Sequence, residues 1–139
     1  MMRANYLLRG VLLLVGAAVV VLGLNVGLGG IRTLGWQGGM VAFLTVTDPA
    51  VFGVRDNHIR FIGGVWLGAG LLVMAGSVWL KQLRVALAAI AGMVFAGGLS
   101  RFSAFDPALL TNWAIAPSVA FELLGFPLIG LWVIWAERK

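Results

Sequence analysis

Long apolar stretches set the strongest limit on what this chain can fold into. Residues 10–24 contain no charged side chain, and residues 61–80 form a second uncharged run. Crossing the hydrocarbon core of a bilayer takes roughly 20 mostly apolar residues. A chain of 139 residues therefore has room for about four crossings and for no separate soluble domain.

Composition supports a membrane protein and argues against several other classes. Charged residues make up 11% of the chain, whereas soluble domains carry about 25%. The net charge is +5, but the basic residues form no cluster, so we expect no nucleic-acid partner. The chain has no cysteine and a single histidine, His58. We therefore expect no disulfide, no metal site and no cofactor.

The pattern predicts an all-α membrane protein in which four transmembrane helices form an antiparallel bundle, within one domain covering residues 1–139. The basic start and first apolar run could be a signal peptide, but no convincing small-residue cleavage site follows, so we interpret the run as an uncleaved span. The four predicted spans lie at about residues 6–26, 59–80, 85–100 and 115–136.

Residues 27–58 form the longest predicted connection, and a structureless loop of that length is improbable in a compact protein. We expect a short interfacial or re-entrant segment there, with a helix at about Thr33 to Leu44. Asp48-Pro49 is typical of the start of another short helical turn, and Asp56 or Asn57 is suited to cap the second span.

The distribution of basic residues predicts the orientation of the chain. Six fall on one predicted side of the membrane and four on the other, and cytoplasmic loops are richer in Lys and Arg. We therefore expect both termini in the cytoplasm and the connection 27–58 outside. The six are Arg3, Arg9, Lys81, Arg84, Arg138 and Lys139, and the four are Arg32, Arg55, Arg60 and Arg101.

Glu122 is the most informative single residue, because it is a carboxylate inside an apolar segment. In the predicted topology it lies in the same outer layer as Arg60 and Arg101. A lone charge in a membrane is costly, and arginine can bind a carboxylate through two hydrogen bonds. We therefore predict an Arg60–Glu122–Arg101 cluster. It either holds the helices in register or forms a polar site for a ligand headgroup or a proton.

Glycines accompany both arginines and indicate close helix contacts. Arg60, Gly64 and Gly68 are spaced by four residues and share one helix face. Small residues allow the backbones of membrane helices to approach each other. We therefore predict that five glycines pack helices together: Gly63, Gly64, Gly68, Gly97 and Gly98.

Pro127 lies inside the last predicted span. Proline lacks an N–H, so the carbonyl group of Leu123 loses its usual helical donor. The sequence therefore predicts a kink in this span.

Two arginine-containing motifs and two residues of the last span resemble a bacterial membrane family known only as domain of unknown function 4345, which is broadly similar to the DoxX-like four-helix membrane proteins. The resemblance implies a four-helix membrane bundle and no established activity. The motifs are Asn57-His58-Ile59-Arg60-Phe61-Ile62-Gly63-Gly64 and Gly97-Gly98-Leu99-Ser100-Arg101-Phe102, followed by Pro117 and Glu122.

Three kinds of function remain open from the sequence. We favour a non-enzymatic accessory or scaffold protein that packs against other membrane subunits or a second copy, because the chain is small, rich in glycine and without a catalytic motif. The alternative is a carrier of a lipid, a quinone-like molecule or a proton, using the polar site at Glu122. An enzyme is third. Membrane lipid is an expected partner in every case, in a bacterial cytoplasmic membrane.

Overall fold

The computed structural model describes residues 2–33 and 45–136, and within them all regular structure is helical. The helices are α1 (Met2–Gly29), α2 (Pro49–Val78), α3 (Leu80–Ser100), α4 (Pro107–Thr111), α5 (Ala116–Ala120) and α6 (Phe126–Ala136). Two 3₁₀ turns, Gly30–Thr33 and Arg101–Ala104, follow α1 and α3, and a π turn, Phe121–Gly125, joins α5 to α6.

Within the described residues, four helical segments are long and apolar enough to cross a membrane, which confirms the predicted fold class. They cover Asn5–Thr33, Pro49–Val78, Leu80–Ala104 and Ala116–Ala136. The predicted interfacial helix at Thr33 to Leu44 falls on residues 34–44, which lie outside the described residues. The 3₁₀ turn after α1 nevertheless shortens the predicted connection 27–58 at one end.

Helix α2 begins ten residues before the predicted start of the second span. The backbone N–H groups of Ala50 and Val51 donate to Asp48 Oδ1 at 2.9 and 3.1 Å, and Pro49 occupies the first turn, where its missing N–H costs nothing. Asp48-Pro49 therefore starts α2 itself, and Asp56 and Asn57 lie inside that helix. The prediction of a separate turn was wrong because a helix needs no apolar side chains where it extends beyond the bilayer.

The turn between α2 and α3 is also tighter than expected. Trp79 alone separates the two helices, and Lys81 already belongs to the first turn of α3. A Cβ atom at Gly76 would lie 2.7 Å from Leu87 Cδ1. The last turn of α2 therefore packs against α3, and the chain reverses direction at Trp79.

Contacts divide the chain into two compact units, and the prediction of a single domain stays a prediction. In the unit Leu13–Met74, α1 and α2 run antiparallel and almost touch. A Cβ atom at Gly16 would lie 2.6 Å from the Met74 backbone nitrogen, and one at Gly23 would meet the Leu67 backbone. Only glycine fits such an approach of two backbones. The stretch between Gly16 and Gly23 therefore brings α1 and α2 into direct contact.

The second unit contains Met1–Leu12 and Ala75–Lys139. Here α3 packs antiparallel against α6 and the π turn. Gly98 faces Leu123 near one end of the contact, and Gly130 faces Ala91 further along, where a Cβ atom would lie 2.8 Å from the Ala91 methyl carbon. Small residues again set the distance between the two helices.

Each long helix buries one narrow seam. Apart from the adjacent Ile90 and Ala91, buried positions recur every three, four or seven residues, as in helices that pack side by side. Because nearly every side chain on these helices is apolar, the sequence does not reveal which face is the seam. The buried positions are Leu8, Leu12, Gly16, Val19, Gly23 and Val26 on α1; Gly63, Gly70, Val73 and Gly76 on α2; and Leu80, Leu87, Ile90, Ala91, Val94 and Gly98 on α3.

Candidate functional site: ion pairs at the helix ends

Arg101 and Glu122 form a two-pronged ion pair. Arg101 Nε donates to Glu122 Oε2 and Arg101 NH2 donates to Glu122 Oε1, both at 2.6 Å. Arg101 opens the 3₁₀ turn after α3, and Glu122 is the second residue of the π turn. The planar guanidinium matches the two carboxylate oxygens, so the pair is both directional and strong. We call it the Arg101 pair.

Gly98 allows the Arg101 pair to form. It is buried on α3, and a Cβ atom there would lie 3.0 Å from Glu122 Cβ and 2.9 Å from Leu123 Cδ2. A larger residue would push the π turn away from α3. The adjacent Gly97 has open space around it, because neighbouring residues of a helix point about 100° apart.

The π turn lies directly before Pro127, where the sequence predicted a kink. The N–H of Phe126 donates to the carbonyl oxygen of Phe121, five residues earlier. The ring of Phe121 meets that of Phe126 edge to face, with 5.2 Å between the centroids. The wider turn changes the register of the helix just where Glu122 meets Arg101. Turns of this kind often occur at functional positions in helices.

Arg60 has its own carboxylate, Asp56, one helical turn earlier on α2. Arg60 Nε donates to Asp56 Oδ2 at 2.7 Å, and Arg60 NH1 donates to the carbonyl oxygen of Leu28. Asp56 Oδ1 accepts the backbone N–H of Ile31 at 2.8 Å. Asp56 therefore neutralises Arg60 within the unit that holds both residues, and the three-membered Arg60–Glu122–Arg101 cluster stays a prediction. We call Asp56 and Arg60 the Arg60 pair.

The Arg60 pair closes the end of α1. The last carbonyl groups of a helix lack donors and carry a partial negative charge, which a nearby cation stabilises. Gly30 adopts a left-handed conformation, with φ +68°, and the N–H of Ile31 then reaches Asp56. A Cβ atom at Gly30 would collide with that carboxylate. Arg60 thus donates to a carbonyl group in the last turn of α1, and Asp56 accepts an N–H from the 3₁₀ turn that follows it.

Arg9 donates hydrogen bonds to the last carbonyl groups of α2, as Arg60 does at the end of α1. Its NH1 group donates to the carbonyl oxygens of Ser77 at 2.7 Å and Val78 at 2.8 Å. From the sequence Arg9 counted only toward the orientation of the chain. Its partners are backbone carbonyl groups, which every residue carries, so the sequence could not identify them.

Of the five glycines predicted to pack helices, two do so within the chain. Gly63 lies against the Gly27 backbone, and Gly98 lies against the π turn. Gly64, Gly68 and Gly97 have nothing within 4 Å of a Cβ position, so their packing against a helix stays a prediction.

The remaining polar residues form no metal site in the described ranges. No group of three or more His, Cys, Asp or Glu side chains comes together there. His58 is exposed on α2. The guanidinium of Arg32 lies 5.4 Å from the centre of the Phe52 ring, a distance at which cation and ring attract each other.

An open apolar groove runs between α3 and α6. Its volume is about 290 Å³, and its lining includes Gly92 and Phe95 from α3 and Pro127 and Gly130 from α6. The groove exists because Gly92 and Gly130 have no side chain and leave space between the two helices. Its lining residue Pro127 is five residues after Glu122 in the sequence, and Phe95 is six residues before Arg101.

The profile of a family described as a domain of unknown function (DUF4345) matches residues 7–133. The chain belongs to the DUF4345 family. The match covers all four apolar segments almost completely and includes both ion pairs. No curated protein and no solved structure matches this DUF4345 protein.

Proposed function

We propose that this DUF4345 protein is a non-enzymatic accessory subunit that packs against other membrane proteins or against a second copy of itself. The observation that carries the proposal is an uncovered glycine face on α2. Gly64 and Gly68 are exposed, four residues apart, and nothing lies within 4 Å of a Cβ position on either. Exposed Phe61 and Leu72 extend the same side of the helix.

A glycine face of this kind is suited to another membrane helix. Lipid chains are as apolar as leucine, so association between helices depends on close packing, which glycines four residues apart permit. Within the chain, Gly63 and Gly23 already serve such contacts between α1 and α2. Gly64 and Gly68 repeat the pattern on a side of α2 that no described residue of the unit Leu13–Met74 covers.

The state of the charged side chains also supports an accessory role. Glu122 and Asp56 both accept hydrogen bonds from arginine. No buried side-chain nitrogen or oxygen atom in the described residues lacks a hydrogen-bond partner. A carboxylate held by arginine is poorly placed to act as a general base, so these pairs are better suited to holding helices together.

Affinity purification from the membranes of the native cell tests the proposal. We expect a membrane protein, or a second copy of this chain, to co-purify in a constant ratio and to be lost when Gly64→Leu and Gly68→Leu are combined. Gly10→Leu is the matched control, because Gly10 also has open space but lies on α1. A purified monomer, or a partner retained equally by both variants, would refute the proposal.

A carrier for a lipid, a quinone-like molecule or a proton is the second candidate, because the apolar groove between α3 and α6 lies close to the Arg101 pair. An apolar tail fits a groove lined by side chains such as Phe95 and Leu131. Extraction of the same purified sample identifies any tightly held small molecule. A quinone or lipid retained in a one-to-one ratio, without a protein partner, would favour this candidate.

We further propose that the protein lies in a bacterial cytoplasmic membrane with both termini in the cytoplasm. The support is the distribution of Lys and Arg along the chain and the resemblance to a bacterial membrane family. Arg9 donates to carbonyl groups at the end of α2, next to Lys81, so these two basic residues share one end of their unit. Cysteine labelling, described in the Discussion, tests the orientation.

A further inference from the structure

The connection between α3 and α5 holds two large aromatic side chains almost fully exposed. Phe105 is 91% exposed and Trp113 is 86% exposed. Phe105 adopts a left-handed conformation, with φ 52°, which is unfavourable for a bulky residue. Its N–H donates to the carbonyl oxygen of Phe102 at 3.0 Å, which holds the turn closed. The backbone thus points an aromatic ring outward at some cost, and such strain often marks a functional position.

Arg101, at the start of the same connection, has N–H groups that Glu122 does not use. A guanidinium carries five N–H donors, and Glu122 takes one from Nε and one from NH2. The other three have no acceptor in the described residues, and the Arg101 side chain is 40% exposed. Two of these donors are on NH1 and one is on NH2, so a second flat edge remains free. Such an edge matches two oxygens of a phosphate group.

The position of the connection in the chain indicates which ligand it contacts. It joins two segments capable of crossing the membrane, Leu80–Ala104 and Ala116–Ala136. It therefore lies where the chain leaves the hydrocarbon core and returns to it. Tryptophan and other aromatic rings favour that interface, and arginine side chains extend into the layer of lipid phosphates.

We propose that residues 101–115 form a phospholipid-binding rim. Phe105 and Trp113 insert at the boundary between headgroups and acyl chains, and the free edge of Arg101 donates hydrogen bonds to the phosphodiester of a bound phospholipid. Arg101 thereby joins Glu122 to the lipid, so the lipid stabilises the contact between α3 and the π turn. This lipid is a resident structural ligand and does not depend on the accessory role proposed above.

Thermal unfolding in mixed micelles tests the role of Arg101. The two probes are dioleoyl phosphatidylcholine, which has a phosphate but no net charge, and dioleoylglycerol, which has the same chains without the phosphate. At roughly tenfold the Kd we expect the phospholipid to raise the Tm by about 5 °C more than dioleoylglycerol does. Arg101→Lys should lose most of this difference, because one ammonium group cannot serve both Glu122 and the phosphate in the same way.

Arg55→Lys is the matched control, because Arg55 is exposed on α2 and should keep the full difference. Equal Tm values with the two probes, or an undiminished difference in Arg101→Lys, overturn the assignment of the phosphate to Arg101.

Spin-label depth measurements test the insertion and do not rely on the Arg101 variant. The chain has no cysteine, so one nitroxide can be placed at a time through Phe105→Cys, Trp113→Cys or, as an aqueous control, Arg55→Cys. In reconstituted bilayers we expect the labels at positions 105 and 113 to be more accessible to oxygen and less accessible to a soluble nickel complex than the control. Accessibilities equal to those of the control would overturn the insertion.

Discussion

Replacing Glu122 by glutamine should destabilise the contact between α3 and the π turn. Glutamine has almost the shape of glutamate, so the packing of the π turn against Gly98 is kept. The change removes the negative charge and one of the two acceptors, both of which now lie 2.6 Å from Arg101 nitrogens. The guanidinium would then be left with one neutral acceptor.

The expected loss is about 1–2 kcal/mol. Removing one partner of a fully buried ion pair costs about 3–5 kcal/mol, whereas an exposed pair contributes about 0–1 kcal/mol. The Glu122 side chain is 12% exposed, but that of Arg101 is 40% exposed, so solvent screens the pair and brings the loss well below the buried limit. For a chain of this size the loss corresponds to a fall in Tm of roughly 3–8 °C.

Intrinsic fluorescence from the six tryptophans can follow thermal unfolding in detergent. A double-mutant cycle with Arg101→Gln isolates the pair, and we expect a coupling of about 1 kcal/mol. Asp106→Asn is the control, because Asp106 is exposed and asparagine keeps an acceptor for the Leu109 N–H. An unchanged Tm for Glu122→Gln, or strictly additive effects in the cycle, would refute the role of the pair in stability.

Two further predictions concern packing and orientation. Gly98→Val should lower the free energy of unfolding by about 1–3 kcal/mol, because the added side chain overpacks the contact with the π turn. Gly97→Val should cost far less because the surroundings of Gly97 are open. Similar falls in Tm for both variants in detergent would contradict the observed contact. For orientation, Arg55→Cys should react with a membrane-impermeant maleimide in intact cells and Lys81→Cys only after lysis, and the reverse pattern would place the termini outside.

The helix boundaries show what a sequence pattern can and cannot locate. The apolar run from about residue 59 lies inside α2, but the helix itself starts at Pro49. Its 30 residues extend about 45 Å, whereas the hydrocarbon core of a bilayer is about 30 Å thick. Hydropathy reports where a helix meets lipid, while the Asp48 cap decides where its hydrogen bonds begin.

The charged residues show a different limit. The sequence singled out Glu122 and Arg101, which the structure brings together, and Arg60, which it pairs with Asp56. Asp56 precedes Arg60 by four residues, a spacing that places two side chains side by side on a helix. That signal was available, but it is informative only once α2 is known to include Asp56.

The sequence by itself determined that this chain is helical and crosses a membrane, because about 20 consecutive apolar residues have few other stable arrangements. It also marked Arg60, Arg101 and Glu122 as side chains that needed partners. Only the tertiary structure decided which partners they have and which glycines touch another helix. In an apolar helix every face has a similar composition, and a change of one residue rotates a side chain by about 100°. Gly97 and Gly98 are therefore equivalent in the sequence, but only Gly98 lies against the π turn that carries Glu122.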